Sequence, residues 1–230
     1  MCARMIIKPE YKEFVKMLNI GNGKYDIKEI FEDFIILSTI AIKNVYDYKQ
    51  EDEDVYLGII NKYKKQEQKI FAELLGMYML LTIKQGENFQ DILGEIYMSI
   101  GATNNSLNQF FTPIHVSELI GESIMNIEEL ENENIIKVYD PCCGSGSLIL
   151  GYANSNKYKI KDFSKKIVFF ARDIDFKCMC MTFLQCTLNQ IPAQIILGNA
   201  LTEETKKVLY TPEFVRENWF EKLDEGRKIA

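Results

Sequence analysis

No proline interrupts the chain between Pro9 and Pro113, and through that stretch apolar residues recur at helical spacing. A proline inside a helix removes a backbone hydrogen bond and clashes with the preceding turn, so a long proline-free run with this period points to stacked helices. Ile27, Ile30, Phe31, Phe34, Leu37, Ala41 and Val45 fall on one face, interrupted by Ser38, and predict an amphipathic helix from Asp26 to Tyr48. A second is expected from Val55 to Ile83, where Tyr56, Ile59, Ile60 and Tyr63 precede a polar break and Ile70, Phe71, Leu74, Leu75 and Tyr78 follow it. A third runs from Phe89 to Ser99 on Ile92, Leu93, Ile96 and Tyr97. Residues 1–108 therefore read as a helical N-terminal domain.

Beyond Pro113 the pattern alternates. Pro113 to Met125 reads as a helix with Thr112 as N-cap and Pro113 in the first helical position. Ile135 to Tyr139 is a short β-branched strand, Ser147 to Ala153 a helix, and Lys166 to Ala171 a strand apolar enough to be buried on both faces. Phe176 to Leu188 is a helix and Gln194 to Leu197 a third strand. Strand, helix, strand, helix, strand is the signature of an α/β fold with a parallel, doubly wound sheet, here over residues 109–230.

Composition narrows the function classes. With 27 Lys plus Arg against 33 Asp plus Glu the net charge is −6, which argues against gripping nucleic acid by bulk charge. His115 is the single histidine, so no multi-histidine metal site can form and no metal is expected. Cys2, Cys142, Cys143, Cys178, Cys180 and Cys186 make no C-x-x-C pair and read as free cytosolic thiols. Met1 to Glu10 lacks a signal-peptide core, and the apolar stretch Phe34 to Ile42 falls short of the ~20 residues that span a bilayer. A cytoplasmic protein with no membrane association is the expectation.

The chemistry-bearing segment is Val138-Tyr-Asp140-Pro-Cys-Cys-Gly144-Ser-Gly146-Ser-Leu148, a strand running through a glycine turn into a helix. Two glycines around one residue permit a tight turn with bare amides, and the helix N-terminus behind it favours an anionic group, so the turn reads as an anion or nucleotide cradle. Ile149 stands where a dinucleotide fingerprint needs its third glycine, which counts against NAD. The next strand ends in Ala171-Arg-Asp173-Ile-Asp175, an acid placed to accept from both hydroxyls of a ribose. Asp173 is the candidate; Asp175 suits the N-cap of the following helix. The third strand ends in Gly198-Asn199-Ala200, where Asn199 is placed to meet an adenine edge.

These residues carry a resemblance. Asp140-Pro-Cys-Cys-Gly-Ser-Gly146 resembles the S-adenosylmethionine loop, D-P-x-x-G-x-G, of adenine-N6 DNA methyltransferases, above all the modification subunits of type I restriction systems. Asn108-Gln-Phe-Phe111-Thr112-Pro113 is similar to the G-Q-F-F-T-P signature of that group, with Asn108 for glycine, and Asp91 to Tyr97 resembles the end of its helical domain. Arg172 to Asp175 is similar to the E-x-D element, and Gly198-Asn-Ala-Leu201 to G-D-x-L with Asn for Asp. The elements stand in the family's order over residues 88 to 201. The resemblance implies S-adenosylmethionine as cofactor, with Phe111, Thr112 and Pro113 bordering its methionine end. It places Asp140, Cys142, Gly144, Ser145 and Gly146 beneath that end, with Asp140 meeting the ammonium, Asp173 the ribose and Asn199 the adenine. His115 reads as a helix-surface or packed residue.

The family's N-P-P-[FYW] or D-P-P-[FYW] loop, which holds the target amine in line with the methyl, has no counterpart in the sequence, and no target-recognition segment is visible. The family's sheet is wider than three strands. The strand Ile135 to Tyr139 is thus expected to expose an open edge, covered by a C-terminal segment carrying Phe214, Val215, Trp219, Phe220 and Leu223, by a second copy or by a partner. The readings are a modification-subunit core reaching DNA through a partner, as oligomer or hetero-complex; a cofactor-binding protein without transferase activity, in an accessory, regulatory or anti-defence role; and an interaction domain with an empty pocket.

Overall fold

The computed structural model describes residues 7–103, 111–125 and 135–229, so Asn108, Gln109 and Phe110 lie outside the described residues. The chain divides into two compact units, residues 1–111 and 112–230.

The first unit is helical: α1 (Lys12–Met17), α2 (Ile27–Lys43), α3 (Gln50–Ile60), α4 (Lys65–Lys84) and α5 (Ile92–Thr103). The Asp26 carboxylate caps α2 by accepting from the Lys28 amide at 2.8 Å. This helix corrects the one-faced reading. Ile30, Phe31, Phe34, Ile35, Leu37 and Ile40 are all buried, because α3, α4 and α5 pack on α2 from several sides. Ala41 and Val45, assigned to the stripe, are exposed, and the helix ends at Lys43 rather than Tyr48.

The second predicted helix is two helices. The Glu67 carboxylate accepts from the Lys64 amide at 2.8 Å, and Gln68 donates to the carbonyls of Ile60 (3.1 Å) and Tyr63 (3.0 Å), so the polar break is a structured corner that seats Tyr63 in the core. Lys43 and Asp52, both buried, pair across α2 and α3 at 2.6 Å.

In the second unit, α6 (Ile114–Ser123) precedes β1 (Ile136–Asp140), α7 (Ser147–Asn156), α8 (Phe163–Lys166), β2 (Ile167–Asp173), α9 (Phe176–Leu188), β3 (Ala193–Leu197), β4 (Lys207–Tyr210), α10 (Pro212–Arg216) and α11 (Trp219–Ile229). The sheet order is β1-β2-β3-β4. The first three strands are parallel, with Asp140 opposite Ala171 and Ala171 opposite Ile195. The α/β fold stands as read, and the sheet gains an antiparallel β4, paired Ile195 to Leu209, which the sequence reading left unassigned. Pro113 itself is the N-cap of α6, so Thr112 lies one residue outside the predicted capping position.

Strand β2 is covered on both faces. Phe169 meets Tyr152 of α7 at 5.7 Å on one side, and Val168 packs with Phe214 and Trp219 on the other. The indole nitrogen of Trp219 donates to the Ser164 carbonyl at 3.1 Å. The C-terminal aromatics thus cover a sheet face rather than the outer edge of β1, with which no strand pairs among the described residues. Helices α6 and α7 cross at glycine: a Cβ on Gly121 would lie 2.5 Å from the Tyr152 Cα, and one on Gly151 2.4 Å from the Ser117 carbonyl carbon.

Candidate cofactor site

Strand β1 delivers Asp140 to the carboxyl end of the sheet, only 8% exposed. Its Oδ1 accepts from the Cys142 amide at 3.2 Å, while its buried Oδ2 has no hydrogen-bond partner. Burial pushes the carboxyl above its ordinary 3.8, and the Asp173 charge adds to this against the Cys142 hydrogen bond. A buried acceptor without a partner, made costly by a neighbouring like charge, is stabilised by a donor that reaches it.

The turn after Asp140 is held by its own chain. The Cys143 amide donates to the Arg172 carbonyl (2.9 Å), that of Gly144 to Asp173 Oδ2 (2.9 Å) and that of Gly146 to the Cys143 carbonyl (2.7 Å). The expectation of bare amides is therefore corrected at these residues: they are spent on shaping the turn. Gly144 (φ 55°) and Gly146 (φ 94°) both sit in the left-handed region, which explains the two glycines by backbone geometry. What the turn offers a ligand is a floor without side chains, beside the carboxylate of Asp140.

Asp173 is a structural as well as a candidate ligand group. Its Oδ2 takes the Gly144 amide and its Oδ1 the Asp175 amide at 2.9 Å. A carboxylate has about four lone-pair sites, so two remain for hydroxyl donors. Asp175 caps α9 as the sequence predicts, accepting from the Lys177 amide at 2.8 Å. Between the two acids Ile174 is 75% exposed, an apolar surface at the rim that sequence reasoning missed. Its signal was an isoleucine inside an acidic loop.

Asn199 Oδ1 accepts from the Leu201 amide at 2.8 Å, which fixes the amide so that its nitrogen faces away from that turn. The 198–206 hairpin is packed tightly at its base, where a Cβ on Gly198 would meet the Glu204 carbonyl oxygen and Arg172 Nη1 donates to that oxygen at 2.7 Å. A cavity of about 350 Å³ opens beside Asp140 and Pro141, walled by Tyr139, Arg172, Ile196 and Ala200. That lies within the ~300–1,000 Å³ typical of ligand pockets.

The remaining predicted residues fall as follows. Phe111 belongs to the first unit and packs on Tyr97 at 5.5 Å. Thr112 is tied to the glycine turn, its carbonyl accepting from the Ser147 hydroxyl at 2.7 Å, with the Ser117 hydroxyl 3.0 Å from the same oxygen of Ser147. Pro113 and Cys142 are exposed, and Ser145 is buried. His115 is a surface residue, 3.8 Å from Glu118. Burial raises the Cys143 thiol well above its ordinary range, leaving it inert.

These residues suit S-adenosylmethionine. The unpartnered Asp140 oxygen matches an ammonium, the spare lone pairs of Asp173 match ribose hydroxyls, and the exposed Ile174 side chain matches the face of an adenine ring; of these residues only Asp140 also lines the cavity.

A family model described as N-6 DNA Methylase matches residues 88–224. A protein described as a class I S-adenosylmethionine-dependent methyltransferase from Listeria monocytogenes is 13% identical with a TM-score of 0.44; the match covers 84% of this chain and 54% of that one. The type I restriction-modification methyltransferase subunit from Streptococcus thermophilus is 19% identical with a TM-score of 0.41, over 75% of this chain and 40% of that one. The chain spans about half or less of the length of these two structures.

Proposed function

We propose, from the premise that this chain belongs to the N-6 DNA methylase family, that residues 112–230 bind S-adenosylmethionine at the glycine turn and serve adenine-N6 methylation of DNA in a restriction-modification system. The observation that carries the reading is the buried, unpartnered oxygen of Asp140 beside Asp173. The bound cofactor supplies a methyl group on a sulfonium, activated without help from an acid or base. The chain's own groups bind and orient: Asp140 accepts from the ammonium, Asp173 from the ribose, Ile174 shelves the ring and Asn199 meets its edge. Gly144, Ser145 and Gly146 form the floor, with Cys142, Thr112 and Pro113 bordering the methionine end.

Transfer also needs the target amine held in line with the methyl, and no N-P-P-aromatic or D-P-P-aromatic tetrapeptide stands in the sequence to do it. Those groups, and most of the DNA contact, come from a partner chain, a second copy or another part of a longer polypeptide; the net charge of −6 supports a division of labour in which this chain holds cofactor. The outer edge of β1 is where such a partner strand would pair. Among the described residues no helix is long and apolar enough to cross a membrane, and the five described cysteines are free, which suits action in the cytoplasm.

A second reading, a cofactor binder without transferase activity, is favoured by the same missing tetrapeptide, which the residues forming β4, α10 and α11 do not supply. One measurement tests the binding that both readings share, and a second tests transfer. Calorimetry is expected to show S-adenosylmethionine binding that Asp173→Ala weakens by roughly a hundredfold, about 2.7 kcal/mol, since the substitution removes ribose acceptors and the Gly144 tether together; unchanged affinity in the variant would sink the assignment. Transfer of tritiated methyl to adenine-containing DNA by this chain alone would reject the need for a partner.

A further inference from the structure

The glycine turn is held from behind by two side chains of α9 that lie outside the motifs named above. Thr182 and Gln185 lie one helical turn apart and are 0% and 1% exposed. The Thr182 hydroxyl donates to the Gly144 carbonyl at 3.0 Å, and the Gln185 amide to the Ser145 carbonyl at 2.7 Å. A hydroxyl has one proton to give, and the Gly144 oxygen is its nearer acceptor, Cys143 Sγ lying at 3.4 Å. These are carbonyls of consecutive residues in the part of the turn where both glycines take left-handed backbone.

A peptide unit is planar with its N–H opposed to its C=O, so fixing a carbonyl also fixes the direction of the following amide. Holding the Gly144 and Ser145 carbonyls against α9 thereby sets the planes leading into Ser145 and Gly146. A further observation locates the same contact: a Cβ on Gly146 would come within 3.2 Å of Thr182 Oγ1, so helix and turn leave no slack between them. Buried polar side chains on a packed helix cost free energy unless they are hydrogen-bonded, and each of these two gives a hydrogen bond to the turn.

We infer that Thr182 and Gln185 are positioning residues which hold the glycine turn in the shape that receives the methionine end of the cofactor. The inference rests on the proposed cofactor reading. Its test compares Thr182→Val, which keeps the shape and removes the donor, Thr182→Ser, which keeps the donor, and Gln185→Met. Each protein is titrated by calorimetry with S-adenosylmethionine and with 5′-methylthioadenosine, which lacks the amino-acid end.

Removal of either donor is expected to weaken S-adenosylmethionine binding roughly tenfold while 5′-methylthioadenosine affinity stays within about twofold, and Thr182→Ser to retain wild-type affinity for both. Equal losses for the two ligands, or a serine variant as weak as the valine one, overturn the inference. Amide hydrogen exchange at residues 144–146 of the unliganded proteins is the independent readout. It quickens in the valine and methionine variants if these side chains set the turn, and stays at the wild-type rate if they do not. Wild-type protein that binds neither ligand refutes the cofactor reading, and the exchange rates then still decide whether α9 sets the turn. Should Thr182→Val not fold, Gln185→Met carries the comparison.

Discussion

Two buried carboxylates, Asp52 of the helical unit and Asp140 of the sheet-bearing unit, are treated in opposite ways. In the first unit, Asp52 meets Lys43 at 2.6 Å, and Asp33 takes the Tyr63 hydroxyl at 2.7 Å and the Lys62 ammonium at 3.4 Å. In the second unit, Asp140 receives one backbone amide and keeps its other oxygen buried without a partner. A paired carboxylate is spent on fixing one helix against the next. An unpaired one costs the folded chain free energy that a ligand can recover. The difference separates carboxylates spent within the fold, among them Glu213 on Arg216 in the second unit, from one whose second oxygen has no partner.

The contrast is broken most directly at Lys43. Lys43→Met leaves Asp52 buried without its cation and is expected to cost about 3–5 kcal/mol in urea unfolding; a change below about 1 kcal/mol would put the pair among surface-like ion pairs instead. At Asp140 the opposite response is expected. Asp140→Asn removes a disfavoured charge, so the unliganded protein melts at or above the wild-type temperature while S-adenosylmethionine affinity falls at least tenfold. A variant that unfolds early and binds normally would make Asp140 a structural residue like Asp52.

The pH dependence sharpens the same point. Because the folded-state value of Asp140 lies above 3.8, the folded protein holds that proton more tightly than the unfolded chain. Its contribution to unliganded stability is thus greatest at low pH and declines as pH rises from 3.8 to the raised value, above which the penalty is constant. Affinity for an ammonium-bearing ligand runs the other way, rising across that window and then levelling as the carboxylate forms. The Asn variant should abolish this component of both slopes, and slopes that survive it would move the titrating group elsewhere. The smallest effect is expected at Asn199→Asp: aspartate accepts from the Leu201 amide equally well, so affinity should shift by no more than about threefold, and a larger change would assign the side-chain nitrogen a ligand contact of its own.

Some of this was legible in the residues themselves. Local order along the chain fixes the three parallel strands, the glycine turn and the Asp175 cap, since each depends on neighbours within a few positions. The break between α3 and α4 was visible as polarity, though its corner is made by Glu67 and Gln68 reaching back to close it. The all-round burial of α2 was not visible, because a period reports one face and says nothing of how many neighbours surround a helix. Strand β4 escaped because an antiparallel strand of four residues has too short a pattern to stand out, and it forms by pairing with β3.

The sequence by itself determined the order of the elements around the turn, the place of the turn and the candidate acids, because φ preferences and apolar periods are local properties. Only the tertiary structure decided that the turn's amides at residues 142–144 and 146 are used internally, that Asp173 ties Gly144 while keeping lone pairs free, and that Thr182 and Gln185 hold the turn from behind. Those outcomes depend on which distant groups fold within hydrogen-bond reach of one another, and no local pattern specifies that.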